Sequence, residues 1–184
     1  MVEIRGRLPH LTNFERGVAH LKFERGDDVE IWVDPMGTAV STKEKFYINT
    51  GSEILVRNGD PVFFDGGIKF SVVDSLETHF VVRAKEEGVV YKNSTMMIPE
   101  KHGKLTIIRD EDIKDLENIA SMHHIDFVLV PYVISKDDVK EIKWRLNFLE
   151  KAVIISWLDD KRSFEDFWEI TNESGGIFLN WNVL

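Results

Sequence analysis

Two adjacent carboxylates follow a short apolar run in the last third of the chain. Residues 153–157 read Val-Ile-Ile-Ser-Trp, and Asp159 and Asp160 come shortly after them. A short apolar run flanked by helical patterns is typical of a buried parallel strand, and carboxylates at its end are suited to binding a divalent cation. Asp159 is therefore a candidate metal ligand. The alternative is that both aspartates cap the helix predicted to start at Ser163.

Three further sets of residues could carry chemistry, and each also has a structural interpretation. Asp65 lies in an Asp-Gly-Gly segment and either faces a ligand or forms an ordinary hairpin turn. The adjacent His123 and His124 could bind a metal, but neighbouring side chains project differently and a solvated helix end is favoured. Four tryptophans could form a platform for a sugar or nucleobase, although packing as core or interface is favoured: Trp144, Trp157, Trp168 and Trp181.

Composition excludes several classes of protein. The 184 residues carry a net charge of -9, which opposes binding to nucleic acid. Neither an apolar leader segment nor a run of about 18 apolar residues is present, so we expect a cytoplasmic protein that does not contact a membrane. The chain has no cysteine, which excludes disulfides and thiolate metal sites and fits a reducing compartment. With 43% hydrophobic residues it can form real cores.

The first half of the chain predicts short strands separated by turns. Alternating patterns at Val18–Phe23 and Val29–Val33 indicate half-buried strands, which we expect to begin a meander. Further strands are predicted at 45–49, 53–56, 62–64, 68–73, 78–83 and 89–91. Close spacing of so many strands predicts a small closed or nearly closed β-barrel.

After Pro99 the pattern changes to alternating helices and strands. Helical stripes are predicted at 110–121, from Ser135 and from Ser163, and apolar strands at 125–130, 153–157 and 177–180. This order predicts three parallel strands, as in a segment of a (β/α) TIM barrel. We therefore expect two domains, an all-β barrel over residues 1–100 and a partial α/β barrel over residues 101–184.

In this order of elements the chain resembles the pyruvate kinase family. Residues 154–160, Ile-Ile-Ser-Trp-Leu-Asp-Asp, are similar to the family's Ile-Ile-Ser-Lys-Ile-Glu-Asn, and residues 62–68 are similar to its Val-Tyr-Val-Asp-Asp-Gly-Leu-Ile hairpin. The remaining similar motifs, all collinear, lie at Val2-Glu3-Ile4-Arg5, 112–116, 125–128 and 176–179. The resemblance implies that the first domain corresponds to the B domain of that family.

The resemblance also implies an activity, the transfer of a phosphoryl group from phosphoenolpyruvate to ADP with Mg²⁺ and K⁺. Trp157 stands where the family has its lysine, and Asp159 matches the metal-binding glutamate. The second metal carboxylate falls on Val183, and an arginine after the earlier strand falls on Ile134. In the B domain, Asp65 matches a group that faces substrate. The family's lysine-bearing nucleotide segment matches residues 93–99, which leaves only Lys92 nearby.

We therefore expect a truncated, catalytically degenerate relative with a binding or structural role in a larger assembly and no cofactor. The exposed edges of a half-barrel would be covered by a second copy, by a larger partner, or by a rearranged packing of Trp157 and Trp181. The alternative is a glycolytic phosphotransferase of the pyruvate kinase type, completed by a partner chain, which keeps Asp65 and Asp159 and uses Mg²⁺ and K⁺.

Overall fold

The computed structural model describes residues 1–50, 54–65, 67–99 and 105–179. The chain divides into two compact units, one formed by Leu8–Leu105 and the other by Met1–Arg7 with Thr106–Leu184. Within the described ranges, none of the helices is long and apolar enough to cross a membrane.

The strands, in chain order, are β1 (Val2–Glu3), β2 (His10–Leu11), β3 (His20–Phe23), β4 (Asp28–Val33), β5 (Lys45–Asn49), β6 (Pro61–Phe64), β7 (Lys69–Ser75), β8 (His79–Ala84), β9 (Gly88–Tyr91), β10 (Met96–Met97), β11 (Phe127–Val130), β12 (Val153–Leu158) and β13 (Gly176–Leu179). The α-helices are α1 (Asp110–Met122), α2 (Lys136–Arg145) and α3 (Phe167–Glu173), and short 3-10 helices span Asn147–Leu149 and Lys161–Phe164.

The unit of residues 8–105 is a mixed β-barrel. Its seven-stranded sheet has the order β10-β6-β7-β8-β4-β5-β2, in which β4 and β5 are parallel and the other pairs antiparallel. The two ends of this sheet meet, because His10 bridges Thr95 and the Met96 N–H donates to the Pro9 carbonyl at 2.8 Å. The nearly closed barrel confirms that part of the predicted fold.

Four phenylalanines form the centre of the barrel core, with neighbouring rings edge-on at 5.4 to 5.7 Å: Phe23, Phe46, Phe64 and Phe70. The predicted meander is wrong, because β3 pairs with β9 in a separate two-stranded sheet instead of with β4. The predicted strand at 53–56 is also wrong for Ile54–Val56, which have no strand partner, while residue 53 lies outside the described residues. Alternating apolar residues specify a buried face but not the neighbouring strand.

The other unit contains a four-stranded parallel sheet of order β1-β11-β12-β13. The expected number of three parallel strands is wrong, because Val2 and Glu3 pair with Val128 and Leu129 as a fourth strand. A two-residue strand has no periodicity that can be recognised in the sequence, and only its long-range pairing defines it.

The two faces of this parallel sheet differ. One face packs on the helices, where Ile4, Val128 and Ile154 share a core with Leu116 of α1 and Ile142 of α2. Side chains alternate along a strand, so the register assigns the remaining positions to the opposite face. We call this the open face, and it consists of Glu3, Phe127, Leu129, Val153, Ile155, Trp157, Gly176 and Phe178.

Helix α2 begins as predicted. Ser135 is its N-cap and accepts a hydrogen bond from the Asp138 N–H at 3.3 Å, while Asp138 accepts from the Ser135 N–H at 3.1 Å.

The third helix does not begin at Ser163. That residue is buried in a 3-10 helix, where its hydroxyl donates to the Val133 carbonyl at 2.8 Å, and α3 starts at Phe167. A helix was predicted to begin at both Ser135 and Ser163, but only Ser135 caps an α-helix. The Ser163 hydroxyl instead donates to a carbonyl that is distant in sequence.

Candidate functional site

Three candidate functional residues from the sequence lie at the carboxyl end of one parallel strand. Strand β12 ends at Leu158, so Trp157 is its next-to-last residue. Asp159 and Asp160 directly follow the strand. Active sites of β/α barrels lie at this end of the strands. The structure therefore places these three predicted residues where the chemistry of such a fold is located.

Trp157 is half-buried on the open face and packs against an aromatic neighbour. Its ring meets Phe178 edge-on, with centroids 5.0 Å apart and the planes at 67°. The indole Nε1–H is buried and finds no hydrogen-bond acceptor within the described part of the chain. An indole carries no positive charge, so this side chain fills space and cannot neutralise an anion.

The two aspartates after β12 have different environments. Asp160 accepts hydrogen bonds from the backbone N–H and the Nε of Arg162, both at 2.9 Å, and is the N-cap of the 3-10 helix. Asp160 therefore caps this 3-10 helix and not the α-helix that was predicted to start at Ser163. Asp159 is buried, with 5% of its surface exposed.

Potential metal ligands do not cluster in the part of the chain that the structure describes. This part contains no group of three or more His, Cys, Asp or Glu side chains arranged to hold a metal ion. Asp159 is the residue that the resemblance matched to the metal-binding glutamate, and the second ligand position falls on Val183. Val183 and Trp181 lie outside the described residues.

One charged residue at the same end of the sheet could not be recognised as a site residue from the sequence. Arg7 follows β1, has 2% of its surface exposed, and forms an ion pair with Asp138 Oδ1. The other oxygen of Asp138 accepts the backbone N–H groups of Ile134 and Ser135. Arg7 is thereby tied to the start of α2, which positions that helix on the sheet. No local pattern marks Arg7, because its partner is distant in sequence.

A second carboxylate links β1 to the helical layer. Asp112, in the first turn of α1, accepts the Arg5 N–H at 3.1 Å and the Arg109 N–H at 3.2 Å. Burial lowers the pKa of the Arg109 guanidinium, while the charges of Asp112 and Glu111 act in the opposite direction. Charged groups at the strand ends therefore have structural contacts that fix neighbouring elements.

The two candidates in the barrel unit lie on its surface. Asp65 is exposed and its Oδ2 accepts the Thr95 N–H at 2.6 Å, next to the pairing of β6 with β10. This contact ties the end of β6 to the segment before β10 and is not a contact within the predicted hairpin turn. Lys92 is exposed in the turn after β9, where its backbone N–H donates to the Ala19 carbonyl at 3.1 Å.

The histidine pair lies at the amino end of the parallel strands, just before β11 begins. His123 is the C-cap residue of α1, and His124 lies 3.2 Å from Asp126, with both histidines exposed. They line a cleft of about 570 Å³ between the segments that precede β11 and β12. The solvated helix end is thus the environment observed.

Two of the tryptophans are not core residues. Trp144 on α2 and Trp168 on α3 are each 73% exposed, so neither packs in a core, and packing at an interface stays a prediction for both. An amphipathic stripe predicts one buried face of a helix, and these indoles lie outside that face.

Comparison with known proteins matches residues 1–181 to the family model described as pyruvate kinase, barrel domain. A pyruvate kinase of Methanocaldococcus jannaschii is 24% identical over 145 residues, covering 78% of this chain and 32% of the relative. Pyruvate kinase 1 of Trypanosoma brucei brucei is 25% identical over 163 residues, with 86% and 32% covered. For the pyruvate kinase of Eimeria tenella the identity is 24% over 126 residues, with 67% and 24% covered.

The chain spans about a third or less of the length of these curated relatives. The family model covers nearly the whole chain, from the first parallel strand through the barrel unit to the last strand described. The chain therefore belongs to the pyruvate kinase family.

Proposed function

We propose that this chain is a catalytically inactive member of its family with a binding or structural role in a larger assembly. One observation carries the proposal. Near the end of β12 the indole of Trp157 packs on Phe178, and the resemblance of residues 154–160 matches this residue to the family's lysine.

The electrostatics of phosphoryl transfer support this proposal. The transferring group spreads negative charge over its oxygens, and catalysis depends on cations placed around them before the reaction. At the end of β12 the neutral indole of Trp157 replaces such a cation. The buried guanidinium of Arg7, at the end of β1, is already paired with Asp138. A transferring phosphoryl group would therefore find little compensating charge there.

The metal requirement gives further support. Mg²⁺ in phosphotransferases is held by carboxylates together with substrate phosphates. Asp159 is buried, and the described residues form no three-ligand cluster around it.

A role in an assembly is supported by the open face. Phe127 and Phe178 on this face are 43% and 47% exposed, and neither belongs to the core that the helices share. Exposed apolar side chains that share one sheet face are typical of an interaction surface.

Thermal unfolding with ligands tests the proposal. A ligand that binds the folded chain raises its midpoint by mass action. We expect no shift with Mg²⁺, with ADP or with both together, for the native chain or for Asp159→Ala. A shift with Mg²⁺ and ADP that disappears in Asp159→Ala but persists in Asp166→Ala would contradict the proposal. It would favour the phosphotransferase completed by a partner chain.

A further inference from the structure

The cleft at the amino ends of the parallel strands has no part in the proposed function. Its volume is about 570 Å³, and its walls are residues 120–125, at and after the end of α1, and residues 147–152, before β12. We propose that this cleft binds a small organic ammonium ion, a primary amine on an apolar or aromatic body. Trp157 and Asp159 lie at the other end of the strands, so binding in the cleft does not depend on whether they support catalysis.

The size and the apolar lining of the cleft suit a small molecule. Ligand pockets in proteins typically measure about 300–1,000 Å³. Both walls belong to the same compact unit. Ile125 is buried and Leu149 and Ala152 are half-buried, while Met122 and Phe148 are 70% and 39% exposed. The cleft therefore offers apolar contacts to the body of a ligand.

The end of helix α1 supplies hydrogen-bond acceptors to the cleft. The last carbonyls of a helix have no donor within the helix, and here the His123 N–H reaches only the carbonyl of Ile119, at 2.8 Å. Among the described residues, no group donates to the carbonyls of Ala120, Ser121 or Met122. The last turn of α1 also has no basic residue, so the negative end of its dipole favours a cation. A primary ammonium group brings three donors and no acceptor to these oxygens.

The charged side chains on the second wall leave the sign of the ligand to the rest of the chain. Glu150 forms no ion pair within the part of the chain that the structure describes, so its carboxylate is available to an ammonium ion. The neighbouring Lys151 has no ion pair or hydrogen bond there either, so its ammonium does not occupy the carbonyls of α1. These two charges cancel. The net charge of -9 on the chain then favours the approach of a cation over that of an anion.

The remaining polar and aromatic groups of the lining are compatible with this ligand. The ring of His123 has no hydrogen bond or ion pair among the described residues, and an unprotonated imidazole nitrogen accepts from an ammonium group. His124 is already 3.2 Å from Asp126 and is less available. The amide oxygen of Asn147 is a further acceptor. The exposed ring of Phe148 attracts a cation that comes within about 6 Å of its centroid.

An NMR titration of the native chain at pH 7.5 tests the site and the sign of its ligand. The probes are 2-phenylethylammonium and 3-phenylpropionate, which share an aromatic body and carry opposite charges. We expect the cation to shift the backbone amide signals of residues 120–125 and 147–152, with a dissociation constant of about 1 mM for a ligand of this size. The anion should bind at least about threefold more weakly. The proposal fails if these amides do not respond to about 20 mM cation, far above that constant, or if the anion binds more tightly.

The two neighbouring charges on one wall provide a matched pair of variants. We expect Glu150→Gln to weaken binding of 2-phenylethylammonium about threefold and Lys151→Gln to strengthen it about twofold, because each removes one exposed charge beside the ligand. Glu165→Gln is the control, because it removes an exposed carboxylate at the other end of the strands, and it should leave binding unchanged. Changes of the opposite sign in the first two variants would assign the cleft to an anion and overturn the proposal. Equal weakening by Glu150→Gln and Glu165→Gln would overturn it as well.

Discussion

The indole of Trp157 lies edge-on against the ring of Phe178, with centroids 5.0 Å apart, and the two residues occupy paired positions on neighbouring parallel strands. This contact joins β12 to β13, the last strand described. An aromatic pair contributes about 0.5–1.5 kcal/mol beyond its buried area. The end of β12 is therefore a packed aromatic corner.

Shortening Trp157 should reveal this packing role. We expect Trp157→Ala to lower the free energy of unfolding by about 2–3 kcal/mol, because a half-buried indole and its aromatic contact are lost. Trp157→Phe should cost less than about 1 kcal/mol, because it keeps an aromatic contact and removes a buried N–H without an acceptor. Denaturant unfolding measures both values, and Trp168→Ala, at an exposed indole, should change little. Equal losses for Trp157→Ala and Trp168→Ala would contradict the assignment.

The buried ion pair between Arg7 and Asp138 should be important for stability. Arg7→Met leaves the Asp138 carboxylate, of which 14% is exposed, without its cation, and we expect a loss of about 3 kcal/mol in urea unfolding. Arg5 is the control, because its contact with Asp115 at 3.6 Å joins side chains that are 55% and 58% exposed. Arg5→Met should cost less than about 0.5 kcal/mol. Similar losses for the two variants would show that Arg7 does not anchor α2.

Gly6 should tolerate no side chain. Its φ is +69°, and a Cβ at this position would lie 2.9 Å from Pro131 Cγ. We expect Gly6→Ala to cost about 2–3 kcal/mol in thermal or denaturant unfolding, from backbone strain and this clash together. Gly17 has φ of +90° but open space around it, so Gly17→Ala should cost only about 1 kcal/mol. An equal cost at both glycines would argue against the close packing of residues 1–7 on the segment after β11.

Acid should weaken the barrel unit partly through Asp34. The N–H of Ala39 donates to this carboxylate at 2.7 Å, and with the N–H of Met36 at 3.1 Å it holds the pKa of Asp34 below its ordinary value of 3.8. A pKa lowered by folding adds stability above the unfolded pKa, and that stability is lost as pH falls through the folded pKa. We expect Asp34→Asn to be less stable than the native chain at pH 7 and to lose less stability between pH 5 and about pH 2. Parallel pH profiles would contradict this role.

The sequence predicted the two halves of the fold because each has a strong local signal. Alternating apolar residues and turn residues indicated the barrel strands, and helical stripes such as that of α1 indicated the second half. The start of α2 at Ser135 was predicted for the same reason, since its capping contacts lie within one turn.

The remaining features depend on contacts that are distant along the chain. Strand β1 is defined by pairing with β11, and Arg7 by its pairing with Asp138. Ser163 was predicted to start a helix, yet its hydroxyl donates a hydrogen bond to the backbone carbonyl of Val133, 30 residues earlier. At the candidate site the sequence identified Trp157 and Asp159, while the burial of Asp159 and the contact of Trp157 with Phe178 could only be seen in the structure.

Pyruvate formation is the most direct measure of the central claim that the end of β12 no longer supports phosphoryl transfer. Purified chain would be mixed with phosphoenolpyruvate, ADP, Mg²⁺ and K⁺, and pyruvate followed through lactate dehydrogenase. We predict no turnover above a blank without protein, and none for Trp157→Lys, because restoring one cation does not supply a metal site. Turnover by the native chain that survives repeated purification and is lost in Asp159→Ala would contradict the account.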